Sequence, residues 1–108
     1  MKRTLGELEH LILLAILRHG DDVNGRRIGE ELYSKAGRDP VRGTLYVTLD
    51  RLEHKGHVRS RLGDPTPERG GKAQRLYTVT PAGIDAVKRA GRALLGMWQG
   101  LESMLEES

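Results

Sequence analysis

The sequence predicts a mainly α chain carrying one small β-hairpin (α+β), and three observations predict it. Three separate apolar patterns with helical spacing lie before residue 56. Two short segments that alternate apolar and polar residues then flank a turn-forming stretch, residues 63–73, which holds two prolines and three glycines. Finally, Thr80-Pro81 opens a last run whose apolar residues recur every three or four positions.

Thr4-x-x-Glu7 reads as a capping box, so the first helix is expected to start near Leu5 and to end at His19-Gly20. Its run Leu11–Leu17 is apolar almost all round and needs cover on more than one side, from its own domain and from a partner chain. Asn24 is the expected N-cap of the second helix, with Ile28 and Leu32 on its inner face and Gly37 as its stop. The third helix is expected from about Val41 to Lys55, ended by Gly56. Leu45, Leu49 and Leu52 share one narrow sector of it; Gly43, Tyr46, Val47, Asp50 and His54 lie opposite, with Arg42 and Arg51 on the flanks.

Val58 and Leu62 alternate with Arg59 and Arg61, which predicts a short strand. A second strand is expected from Gln74 to Val79, making a hairpin with a long basic tip. The last helix is expected from Pro81 to about Glu107. Ile84, Val87, Gly91, Leu94, Trp98, Leu101 and Leu105 form a heptad seam along it, widened by Leu95, Met97 and Met104. At ~25 residues it would be roughly 37 Å long, more than so small a domain can cover, so its free face is expected to dock on a second copy. This order of elements is that of a winged helix-turn-helix domain, residues 1–80, followed by a C-terminal dimerisation helix, residues 81–108.

At 108 residues the chain supports one modest aliphatic core, with no Phe, three Tyr and one Trp. It has no Cys, which excludes disulfides, thiolate nucleophiles and zinc–cysteine sites and fits a reducing cytoplasm. A secretory leader is not expected, because Glu7, Glu9 and His10 interrupt the approach to the apolar run and Arg18-His19-Gly20-Asp21-Asp22 follows it. A membrane span is not expected either, since seven apolar residues cannot cross a bilayer. The net charge is only +3, but residues 42–75 carry eight Lys/Arg against four Asp/Glu while the flanking segments are close to neutral. The excess therefore falls on the third helix and the hairpin, where a phosphate-facing surface needs it.

That placement suggests double-stranded DNA as the partner. A helix fits the major groove and its exposed side chains meet base edges. A basic hairpin lies over the backbone and supplies salt-dependent affinity. Arg42, Tyr46, Val47 and Arg51 are the candidate reading residues, with Gly43 and Thr44 beside them at the start of the helix. Arg42 can reach guanine or phosphate, the Tyr46 hydroxyl can donate to phosphate, and Val47 can meet a thymine methyl. Arg69, Lys72 and Arg75 are the candidate backbone clamps, and Gly70-Gly71 lets the main chain come close. Tyr46 could equally pack against the second helix, Arg51 could pair with Asp50 or Glu53, and Gly70-Gly71 could be a plain turn. The four histidines lack metal-ligand spacing, no nucleophile elbow or phosphate-binding glycine loop is present, and no enzymatic activity, cofactor or metal is expected.

Four stretches of the chain carry a resemblance. Leu5-Gly6-x-Leu8-Glu9 with its Leu/Ile run is the first. Gly43-Thr44-Leu45-Tyr46-x-x-Leu49-x-Arg51-Leu52-Glu53-x-x-Gly56 is the second. The Gly70-Gly71 hairpin and Tyr77-x-Val79-Thr80-Pro81-x-Gly83 complete the set. Together they resemble the PadR family of bacterial transcriptional regulators over residues 5–105. The resemblance implies homodimers that bind a palindromic operator and repress. It implies DNA contact by Tyr46, Lys72 and Arg75, and a dimer interface built from the last helix (Ile84, Val87, Leu94, Trp98, Leu101, Leu105) with Leu11 and Leu14 of the first. It further implies, as in short drug-sensing members, a cavity at Trp98, Leu94 and Met97 in which a small aromatic effector stacks. Arg42 departs from the small hydroxyl residues common there, and the chain resembles members with a single C-terminal helix. Two other readings of the same residues are a winged helix that docks a protein through its third helix, and a ligand-binding dimer with vestigial DNA contacts.

Overall fold

A computed structural model of the chain describes residues 5–64 and 73–107. Its elements follow the expected order with one addition: α1 (Glu7–His19), β1 (Val23–Asn24), α2 (Gly25–Ala36), α3 (Arg42–His54), β2 (Val58–Leu62), β3 (Arg75–Val79) and α4 (Pro81–Trp98). The expected hairpin is thus part of a three-stranded antiparallel sheet in the order β1-β3-β2. Val58 pairs with Val79 and Leu62 with Arg75 across the hairpin, while Val23 pairs with Tyr77 on the other edge.

α1 starts two residues later than the capping box predicts. Gly6 is the N-cap, and Glu9, rather than Glu7, reaches back to accept the Gly6 N–H at 2.8 Å; the Thr4 half of the expected box lies outside the described residues. Glu9 is the residue that faces inward, so it can cap the helix and meet α3 together. Ile12, Leu13 and Ile16 are fully buried, but Leu14 and Leu17 are exposed, so the apolar run is not covered on every side within one chain. α2 is capped as expected, Asn24 Oδ1 accepting the Arg27 N–H at 2.8 Å, and Gly37 ends it in the left-handed conformation.

The inner faces read from spacing lie in the core, and β3 adds Tyr77 and Val79 to it. Ile28, Leu32, Leu45, Leu49, Leu52, Val58, Tyr77 and Val79 are all buried. Thr48 is buried among them and donates its hydroxyl to the Thr44 carbonyl at 2.7 Å, so its polar atom carries no desolvation penalty. Leu62, which the alternation puts on the same side of its strand as the buried Val58, is instead exposed.

α4 begins as expected. Thr80 Oγ1 accepts the Gly83 N–H at 3.1 Å and donates to the Gly56 carbonyl at 2.6 Å, which pins the helix start to the α3–β2 turn. Gly83 rests directly on the His57 backbone, and a Cβ there would lie 2.7 Å from Val79 Cγ1. The end is a correction: α4 stops at Trp98, not near Glu107. Gln99 leaves helical geometry, Gly100 takes φ 90°, and a short 3-10 turn follows at Glu102–Glu106. Eighteen residues make a helix of roughly 27 Å, and Leu101 and Leu105 lie beyond it. No helix among the described residues is long and apolar enough to cross a membrane.

Candidate nucleic-acid interface

α3 is held from behind by its leucines and presents its other side to solvent. Arg42, Gly43, Thr44, Val47, Asp50 and Arg51 are exposed, and Val47 is 56% exposed, a large figure for an aliphatic residue. Arg51 pairs with neither Asp50 nor Glu53; among the described residues, Arg42, Arg51 and Arg59 form no ion pair. The outer face of the helix therefore keeps its cationic ends available.

Tyr46 is placed differently from its neighbours. It is half-buried and packs on the core, with its hydroxyl against the first residue of α2, Gly25. An added Cβ at Gly25 would come within 2.6 Å of Tyr46 Cζ, so only glycine leaves room for the ring. The Arg42 guanidinium sits over that ring at 5.6 Å from its centroid, within cation–π range. Sequence spacing placed Tyr46 on the outer face; in the fold it bridges α2 and α3 and shelves Arg42.

The wing is braced on both its faces. Arg61 clamps Asp22 through two hydrogen bonds, Nε to Oδ1 at 3.2 Å and Nη2 to Oδ2 at 2.9 Å, and this pairing holds the Asp22 carboxyl below its usual range. Asp22 has φ 61° and its N–H donates to Thr78 Oγ1, so the same residue fixes the turn into β1. On the other face Arg75 Nη1 donates to Ser60 Oγ at 2.9 Å, and Ser60 Oγ donates to the Glu53 carboxylate at the end of α3. Tyr77 is buried beside this network, and burial pushes its phenol up to about 12. Arg69, Gly70 and Lys72 lie outside the described residues.

A cleft of about 690 Å³ separates the start of α2, the start of α3 and the base of the wing. Arg26, Arg42 and Arg75 line it, and among its described lining residues there is no carboxylate. The sequence reading missed Arg26. Its signal was present: it follows the N-cap Asn24 by two residues, where a first-turn side chain faces the adjoining loop.

Of the residues expected at the dimer interface, Leu11, Ile84 and Val87 pack partly buried against this chain's own core, and Leu14 is exposed on α1. Leu94, Met97, Leu101 and Leu105 are exposed, Trp98 is half-buried, and Leu95 and Met104 extend the same apolar end. A second groove, about 540 Å³, runs between the start of α1 and α4, where Leu5, Ala86, Ala90, Ala93 and Leu94 meet His10 and His57. Burial holds both imidazoles below their ordinary pKa. Leu94 lines this groove; Trp98 and Met97 do not.

Residues 13–89 match the model of the transcriptional regulator PadR-like family. The chain is 41% identical over 87 residues to the transcriptional regulator Rv3488 of Mycobacterium tuberculosis, which covers 77% of this chain and 75% of that protein. In fold it is similar to the transcriptional regulator TA0346 of Thermoplasma acidophilum, with a TM-score of 0.70 at 20% identity over 94% of this chain and 93% of that one. It is also similar to Bacillus subtilis PadR, whose structure was solved with operator DNA, with a TM-score of 0.65 at 20% identity over 76% of this chain and 46% of that one.

Proposed function

The chain belongs to the PadR-like family of transcriptional regulators, and from that premise we propose that it binds operator DNA as a homodimer and represses transcription in the cytoplasm. Residues 1–80 are the reader and residues 81–108 the dimerisation segment. α3 enters the major groove with Arg42, Gly43, Thr44, Val47 and Arg51 toward it, and the wing lies on the backbone through Arg75, Arg69, Gly70 and Lys72. The observation that carries the reading is the cleft between α2, α3 and the wing, lined by Arg26, Arg42 and Arg75 with no carboxylate among its described lining residues, while Val47 and Arg51 stand exposed on another face of α3.

Dimerisation is supported by the apolar end of the chain. Leu94, Leu95, Met97, Leu101, Met104 and Leu105 are large hydrophobics left 47–79% exposed by their own chain, apolar surface that a stable monomer rarely leaves wet. A two-fold dimer places two copies of α3 on half-sites about one helical turn apart, which makes a palindromic operator the matching target. A small aromatic effector would enter beside Trp98, Leu94 and Met97 and favour a dimer geometry that misplaces the reading helices.

Stoichiometry tests this reading. Light scattering and a titration of DNA from upstream of the coding sequence should give two chains in solution and two per duplex. A monomer, or a dimer that ignores the duplex, contradicts it. Quenching of the single Trp by planar aromatic compounds tests the effector; an unquenched Trp98 in an intact dimer argues against that cavity.

A further inference from the structure

We propose that the cleft between α2, α3 and the wing is a seat for one phosphate of the DNA backbone, with Arg26, Arg42 and Arg75 as its ligands and Gly25 as the residue that shapes it. The proposal rests on the DNA-binding reading and makes Arg42 a phosphate ligand rather than a reader of bases.

Three elements each contribute one guanidinium: Arg26 from the first turn of α2, Arg42 from the first turn of α3, and Arg75 from the first residue of β3. No carboxylate stands among the described residues lining the cleft, although Arg26 is ion-paired with Glu30 one turn further along α2. Two of the three have partners outside it, Arg26 Nε with Glu30 at 3.3 Å and Arg75 Nη1 with Ser60 at 2.9 Å. A guanidinium has five N–H donors, so each keeps donors for an anion while its partner orients it. Arg42 is oriented instead by the face of Tyr46.

The walls are fixed independently of any ligand. Asn24 Nδ2 donates to Gln74 Oε1 at 2.8 Å, tying the start of α2 to the base of the wing. Gly25 leaves the space into which the Tyr46 hydroxyl fits, and Tyr46 in turn carries Arg42. A side chain at Gly25 would displace the ring and with it the guanidinium. Three guanidinium groups lining one cleft, of fixed charge and fork geometry, suit a tetrahedral oxyanion. A base edge buried in the major groove would have to be met by a side chain standing out from α3, as Val47 does.

Binding isotherms at several salt concentrations test this. The probes are a duplex from upstream of the coding sequence and a scrambled duplex of the same composition. Each of Arg26→Ala, Arg42→Ala and Arg75→Ala should weaken binding to both duplexes, and the triple variant should make the salt slope shallower by about 0.9, as loss of the one shared phosphate contact requires. The ratio of the two affinities should stay at its wild-type value. Gly25→Ala should weaken binding as Arg42→Ala does and add nothing on the Arg42→Ala background. If circular dichroism shows Gly25→Ala unfolded, the arginine series decides alone. An Arg42→Ala protein that loses preference for the upstream duplex overturns the proposal, as does a triple variant with the wild-type slope. Wild-type protein that binds neither duplex removes the DNA reading itself, a failure distinct from both.

Discussion

Glu9 is 5% exposed and still ionised, because both its carboxylate oxygens are used: Oε1 by the Gly6 N–H and Oε2 by Lys55 Nζ, each at 2.8 Å. Burial alone would raise its pKa, but the hydrogen bonds from Lys55 and Gly6 and the charge of Lys55 and Arg51 bring it below the ordinary 4.5. A carboxyl whose folded pKa is depressed stabilises the fold above its unfolded value, and that contribution is lost as pH falls through the folded value. Glu9→Gln should therefore cost about 2 kcal/mol at neutral pH, the scale of a hydrogen bond to a charged group. It should also flatten the acid limb of stability below pH 4.5. Urea denaturation across that range checks both, and identical acid limbs in the two proteins would refute the assignment. Sequence alone put this cap on Glu7 because Thr4-x-x-Glu7 fits the local rule; the winning residue was chosen by Lys55, 46 positions away. Tyr46 shows the same limit. Its helical angle placed it outward, and the missing side chain of Gly25 drew it in.

α4 separates what is local in an element from what is not. Its start was legible because Thr80 and Pro81 act within one turn, and the structure adds only the bond from Thr80 to the Gly56 carbonyl. Thr80→Ala should destabilise the chain by about 1 kcal/mol, with Thr80→Ser close to wild type; equal melting of all three would remove the cap from the account. Its end was not legible, since the apolar recurrence continues through Leu101 and Leu105 while the backbone turns at Gln99-Gly100. Periodicity reports which residues would share a face, not whether the helix survives to use it. β1 escaped for a related reason. Two residues cannot show an alternation, and Val23-Asn24 is a strand only because Tyr77 and Leu76 lie alongside. The aliphatic part of the core faces of α2 and α3 was legible, as Ile28, Leu32, Leu45, Leu49 and Leu52 are held by spacing and burial together, while the buried Gly25 and Thr48 were not.

Across the whole molecule, the apolar end and the cationic cleft use different residues: Leu94 to Leu105 on one, Arg26, Arg42 and Arg75 on the other. The charge distribution already pointed there, with its excess confined to residues 42–75. Arg61 and Lys55 are exceptions within that excess, their charges spent on Asp22 to hold the wing and on Glu9 at the start of α1. The central claim is that the α3 and wing face binds DNA, and its most direct measurement is fluorescence anisotropy of the purified protein at several salt concentrations. Labelled DNA from upstream of the coding sequence is compared with a scrambled duplex. The account predicts tight binding that falls steeply with salt and favours the upstream DNA. Binding that is equally weak on both duplexes, or that does not respond to salt, would contradict it and leave α3 as a surface for a protein partner.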